Sequence, residues 1–194
     1  MGPDAMQKEE ILFWKNRYEE EQKESDRKTE QELRRKFQSQ KFMTKDDLIR
    51  VVKWRFQGRL SRRQGELLEL IESTEESHII DRSREAFRAN DDETRLKFLF
   101  QIQGVRNIIA STILAFYDPD NYGVLGMSVW RALFGREPRD IFVNPKRAIE
   151  FFKKLREISR DELPCRDLEK AISRREAEKS RFRHPLRYFF FGRF

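Results

Sequence analysis

Apolar positions along this chain recur at helical spacing nearly everywhere, and no segment sustains the alternation of a half-buried strand. From Lys8 to about Phe37 there is neither Gly nor Pro. Ile11, Leu12, Trp14 and Tyr18 form a short apolar face there, and residues 19–32 are almost wholly polar, which predicts a solvated helix or a frayed linker. Thr44 opens a clearer helix. Its hydroxyl can take the amide three residues on and Asp47 can return the bond, after which Leu48, Val51, Val52 and Arg55 fall at helical spacing. Ser61 with Gln64 repeats that pattern ahead of Leu67, Leu68 and Ile71. Thr74 is expected to cap a further helix through Phe87, residues 90–92 read as a polar break, and Leu96, Phe98 and Leu99 mark the next helix. Asn144 followed by Pro145 is an N-cap with proline in the first turn, leading into Ile149, Phe152, Leu155 and Ile158. A last helix is expected from about Pro164 to Lys179. The pattern predicts an all-α chain of eight to ten helices. Residues 1–40 read as a charged helix or linker, 41–180 as the helical domain, and 181–194 as a basic, aromatic tail.

Composition sharpens this picture. The 194 residues fit one domain with appendages, and 17 Phe against 8 Gly and 6 Pro suit a packed helical core with short connections. The net charge of +7 is unevenly spread: residues 7–40 carry nine basic and nine acidic side chains, whereas residues 172–194 carry seven basic and two acidic ones. A basic tail points to an acidic partner such as nucleic acid, or serves only as a solubilising surface. The single cysteine, Cys165, excludes an intrachain disulfide and four-cysteine zinc or iron–sulfur sites, and suits a reducing, cytoplasmic setting. No run of about 18 apolar residues predicts a membrane span, and no signal-peptide pattern opens the chain. His78 and His184 stand far apart with no third ligand in view, so neither metal site nor cofactor is read from the sequence.

The informative stretch is LFQIQGVRNIIASTIL at 99–114. A helix runs into Gly104 and another leaves it at once. Glycine permits positive φ and close backbone approach. The unpaired N–H groups and partial positive charge at the start of the following helix suit a phosphate oxygen, and Arg106 can add a charge-assisted bond. Ala110 and Ser111 are small enough for close helix packing. The plain alternative is an ordinary corner between two helices.

This stretch resembles the hairpin of the helix–hairpin–helix base-excision DNA glycosylases, which reads roughly L-x-G-V-G-x-x-x-A, with Ile102, Gly104, Val105 and Ala110 in place. The resemblance continues through YGVLGMSVWRAL at 122–133, similar to the segment in which an apolar pair precedes a catalytic aspartate and a short helix follows. KWR at 53–55 and CRDL at 165–168 resemble a branch of that superfamily. The resemblance covers about residues 42–172. It implies DNA contact through Gly104, Val105, Arg106, Asn107 and Arg131, and a pocket involving Trp54, Gly126, Ser128 and Trp130, with Trp54 and Trp130 alternatively plain core residues. The departures bear on chemistry. The second hairpin glycine is Arg106. The lysine that bifunctional members use for a Schiff base aligns with Ile108, and the aspartate that would stabilise the sugar cation or activate water aligns with Gly126. Neither replacement can act as a nucleophile or supply charge. Asp118 and Asp120 lie nearby but read as turn formers.

In the tail, Leu186, Phe189 and Phe190 have the spacing of sliding-clamp-binding peptides, with Arg183 where that motif wants Gln; packing of these aromatics onto the domain is the simpler alternative. The sequence therefore predicts a DNA-binding, repair-type protein with no standard catalytic residue. The alternatives are an active glycosylase or abasic-site lyase with a displaced catalytic group, and a protein-interaction module without DNA.

Overall fold

Every regular element among the described residues is a helix, as the periodicity predicts. The computed structural model describes residues 6–56, 62–136, 139–160 and 162–183. Along them run α1 (Lys8–Glu21), α2 (Glu24–Gln40), α3 (Lys45–Phe56), α4 (Arg62–Glu72), α5 (Glu76–Arg88), α6 (Asp92–Leu99), α7 (Asn107–Tyr117), α8 (Met127–Phe134), α9 (Pro145–Ser159) and α10 (Cys165–Arg183). None of the described helices is long and apolar enough to cross a membrane.

Local capping chemistry sets several of these starts. The Thr44 amide donates to Asp47 Oδ2 at 3.0 Å and the Asp47 amide returns to Thr44 Oγ1 at 3.3 Å, a reciprocal capping box. Asp91 accepts from the Thr94 amide at 2.8 Å to open α6, and Asn144 accepts from the Lys146 amide at 3.1 Å to open α9. Thr74 behaves differently from its expected capping role. Its hydroxyl donates back to the Leu70 carbonyl at 2.8 Å and closes α4, while Glu75 takes the N-cap of α5. Ser61 lies outside the described residues.

α7 is the centre of the packing. Nine of its eleven residues are buried, and it touches α2, α3, α6 and α9. A helix apolar on nearly all sides has to be enclosed in this way. Phe116 of α7 itself, Phe37 of α2 and Phe151 and Phe152 of α9 are fully buried, each contributing on the order of 1.5–3 kcal/mol by transfer from water.

The polar stretch 19–32 breaks at Gln22 and Lys23 into the end of α1 and the start of α2. α2 buries Glu30, Leu33 and Phe37, one helical face whose first member is a carboxylate. α1 lies along α10, so the two ends of the described chain pack together.

The connection between α7 and α8, residues 118–126, crosses the start of α10. The carbonyls of Pro119 and Asp120 accept the amides of Arg166 at 2.9 Å and Cys165 at 3.1 Å, supplying acceptors that the first turn of α10 lacks within the helix. Asp118 shapes the turn itself by accepting the Asn121 and Tyr122 amides on its carbonyl. A Cβ on Gly123 would lie 2.7 Å from Leu155 Cδ1 and 2.9 Å from Glu169 Cβ, so only glycine lets this loop lie so close to α9 and α10.

Candidate functional site

The turn between α6 and α7 has the backbone that its sequence demands. Gly104 sits at φ +79°, in the left-handed region, and a Cβ there would fall 2.4 Å from Leu67 Cδ1 of α4. Glycine at this point thus satisfies a dihedral requirement, and any Cβ there would have to push the end of the Leu67 side chain aside. Arg106 follows in extended conformation as the N-cap residue of α7, with no side-chain cap on the first-turn amides. Its exposed side chain folds back, with Nη1 donating to the Val105 carbonyl at 2.7 Å.

The hairpin residues divide by direction. Gly104 is half-buried and Arg106 exposed, whereas the Val105 and Asn107 side chains are fully buried. Asn107 Nδ2 donates to the carbonyls of Ile141 and Asn144, both at 2.7 Å, and so ties the approach to α9 onto the start of α7. Val105 and Asn107 are enclosed as whole residues, and the Val105 amide already donates to the Ile102 carbonyl at 3.1 Å, so both serve to frame the turn from inside. Ser111, in the next turn of α7, receives the Leu125 amide on its Oγ at 3.0 Å and links the hairpin helix to the loop that leads into α8.

A pocket of about 500 Å³ lies where that loop, α1, α3, α8 and α10 meet. It brings together three of the four residues assigned to a pocket by sequence, Trp54, Gly126 and Ser128, and adds Arg131. Trp130 stands apart. It is buried, stacks on Phe134 at 4.3 Å, donates from Nε1 to the Arg136 carbonyl at 2.7 Å, and lines a different pocket bordered by Arg139 and Arg147. Residues 128 and 131 are three apart and share one face of α8, while 130 and 134 share another.

The walls of the Gly126 pocket are charged, and the sequence reading did not assign these residues to it. Arg55, Arg166, Glu169 and Tyr18 line it. Arg166 is buried between two carboxylates. Nε and Nη2 donate to Glu30 Oε1 and Oε2 at 2.9 and 3.1 Å, and Nη1 meets Glu169 Oε2. Its guanidinium also lies over the rings of Trp54 and Tyr18, 5.4 and 5.7 Å from their centroids. Trp54 is held in turn by its Nε1 donating to the Asp26 carbonyl at 3.0 Å.

The two carboxylates respond oppositely to this setting. Burial pushes Glu30 up, but the Arg166 charge and hydrogen bond, with Lys170 and Gln22, outweigh it and hold the carboxyl down to about 2. Burial also pushes Glu169 up; there Arg166 and the Val124 amide, which donates to Oε2 at 3.2 Å, compensate only in part, and the carboxyl stays above its ordinary range. Arg55 is pulled the other way. Burial lowers its pKa, the charges of Glu169 and Tyr18 oppose that, and repulsion by Arg166 adds to it. Arg55 Nη2 donates to the Leu125 carbonyl at 3.3 Å, while its Nε is buried without a partner.

Gly126 is the N-cap of α8 in ordinary extended conformation, and a Cβ there would meet nothing nearer than Val129 Cγ2 at 4.0 Å. The glycine leaves space in front of the helix start, and no side chain caps the first-turn amides. Ile108 is half-buried on α7 and Ile102 fully buried before the hairpin, both as apolar packing. No group of three or more His, Cys, Asp and Glu among the described residues is placed to hold a metal ion. The tail residues Leu186, Phe189 and Phe190 lie outside the described residues. Comparison with protein-family models, with curated proteins and with solved structures finds no match to this chain.

Proposed function

We propose that this chain is a DNA-binding helix–hairpin–helix protein related to the base-excision glycosylases, keeping the grip on DNA while lacking the standard catalytic groups. The observation that carries this reading is the α6–α7 turn: Gly104 at φ +79°, followed by exposed Arg106 at the uncapped start of α7. First-turn amides and the helix dipole hold a phosphate oxygen, and a guanidinium beside them adds a second, charge-assisted contact. Such contacts position a strand without reading its sequence. Gly104 acts through the backbone and Arg106 through its side chain, Val105 and Asn107 hold the turn from inside, and Arg131 adds a cation on the exposed side of α8. With Ile108 in place of a lysine and Gly126 in place of an aspartate, the residues aligned with the usual chemistry supply none.

The test is a mobility assay with duplex, single-stranded and abasic DNA at low salt. Binding is expected to fall steeply with salt, and Arg106→Glu to weaken it at least tenfold and reduce the salt slope by about 1. No binding to any of these DNAs would sink the proposal, and full affinity in Arg106→Glu would remove the hairpin from it.

Glu169 favours a second reading, in which a displaced carboxylate serves a glycosylase. It lines the same pocket as Gly126, and both of its hydrogen bonds fall on Oε2. Strand cleavage on uracil, hypoxanthine, oxidised-guanine and abasic duplexes at excess protein tests it. Product above the no-protein control that disappears in Glu169→Gln supports an enzyme, and no product rejects it.

A further inference from the structure

The pocket beside Gly126 has the wrong electrostatics for a cationic sugar and the right ones for an anion. Arg166 is answered by Glu30 and Glu169, but Arg55 makes no ion pair among the described residues. Its guanidinium is largely desolvated in the wall of a pocket that also receives the start of α8, and the acceptor it meets there is the uncharged Leu125 carbonyl, 3.3 Å from Nη2. Desolvated charges in proteins are normally paired, so a guanidinium without a counter-charge in a pocket wall points to a missing anion.

The helix start supplies the second half of a cradle. Met127, Ser128 and Val129 give the first-turn amides of α8, all three line the pocket, and the N-cap residue has no side chain to satisfy them. A helix N-terminus carries about half a positive charge. The space in front of these amides is open at Gly126. Arg131, one turn on, brings a further guanidinium to the rim.

We propose that this pocket binds a phosphate-class oxyanion, a phosphomonoester whose oxygens are received by the α8 first-turn amides and the Arg55 guanidinium. At about 500 Å³ the pocket exceeds one phosphate group and admits the organic part of the ester beside Tyr18. A phosphorylated strand end and a small phosphomonoester share this chemistry. The site goes beyond the hairpin grip and does not depend on it.

The experiment titrates inorganic phosphate into the full chain without DNA, at ionic strength held constant with chloride, reading the thermal midpoint and tryptophan emission. A saturable rise in the midpoint with an emission change is expected, and Arg55→Gln weakens the apparent affinity at least tenfold. Gly126→Asp puts a carboxylate where the anion would sit and, with open space at that position, is expected to fold. It abolishes the response. No saturable response in the parent, or an unchanged one in Gly126→Asp, overturns the site. A 5′-phosphorylated oligonucleotide binding at least tenfold tighter than its 5′-hydroxyl twin assigns the site to strand ends. Equal binding of the two, with saturation by a deoxynucleoside 5′-monophosphate, assigns it to small esters. Failure of both probes overturns the phosphomonoester.

Discussion

The hairpin and the Gly126 pocket are joined through α7 and the loop that follows it, yet built on opposite principles. At the hairpin the charge is on the surface. Arg106 is exposed, and what fixes the site is backbone shape, a left-handed glycine fitted against Leu67. At the pocket the backbone is ordinary and the charges are inside, Arg166 buried between Glu30 and Glu169 with Arg55 beside them. A site that grips a polyanion wants solvated charge and a rigid frame. A site that selects one group wants desolvated charge, where interactions are strong and mispairing costly.

The largest effect is expected from Arg166→Met. Removing the central cation of a buried ion cluster leaves Glu169 with the Val124 amide and Glu30 with only Lys170 and Gln22, which costs about 3–5 kcal/mol. Urea unfolding at neutral pH measures it. A loss below about 1 kcal/mol would show that solvent reaches the cluster, and the contrast with the hairpin would collapse. Recovery of much of the loss in Arg166→Met combined with Glu30→Gln and Glu169→Gln would sharpen it, because the penalty then lies in unpaired charge.

Acid should dissect the same cluster. Glu30 is held at about 2 against an ordinary 4.5. A carboxylate with a depressed folded value contributes stability that is present above the unfolded value and lost as pH falls through the folded one, here between about 4.5 and 2. The difference is worth about 3 kcal/mol for this buried group. Glu169, held above its ordinary range, works in the opposite sense: its protonation is favoured in the fold and offsets part of the acid loss. Unfolding midpoints from pH 5 to 2 are expected to fall less steeply in Glu30→Gln than in the parent. Parallel curves would mean that Glu30 is not pinned.

Gly104→Ala attacks the hairpin's frame, with an expected loss of about 2 kcal/mol from the left-handed dihedral and the collision with Leu67. Adding Leu67→Ala relieves only the collision, so the double variant separates the two causes. A neutral Gly104→Ala would show that the turn relaxes freely and is no rigid frame for a phosphate.

What was legible in the sequence tracks how local the physics is. The Thr44–Asp47 box and the Asn144 cap span two or three residues, and both form as read. The positive φ at Gly104 was legible because two helical runs abut there. Glu30 and Arg166 meet across 136 positions, and no periodicity announces that. The start of α2 therefore reads as polar and solvated, although one face of it supplies a buried carboxylate. Trp54, Gly126 and Ser128 converge on one pocket, but Trp130 departs because two residues along a helix turn a side chain to a different face. Glu169 lies one residue beyond the CRDL run at 165–168, and its only local signal is its i,i+3 spacing from Arg166.

The smallest expected effect tests the pocket's field without any ligand. Gly126→Ser and Gly126→Asp both place an oxygen at the N-cap of α8, where the Cβ meets open space and the backbone is already extended. As a neutral cap, serine gains a few tenths of a kcal/mol over glycine. Aspartate makes the same bond with a charge, and beside a helix N-terminus and a desolvated Arg55 that charge is worth about a further 1 kcal/mol. The quantity to measure is the stability of the aspartate variant minus that of the serine variant, because chain entropy and sterics largely cancel in it. A positive difference that shrinks little with added salt places the favourable field inside the pocket, where screening is weak. One that vanishes by about 0.5 M salt places it at the surface, and the pocket then resembles the hairpin in kind. If aspartate is the less stable of the two, Glu169 dominates the local field, and the glycine at 126 relieves a repulsion between carboxylates.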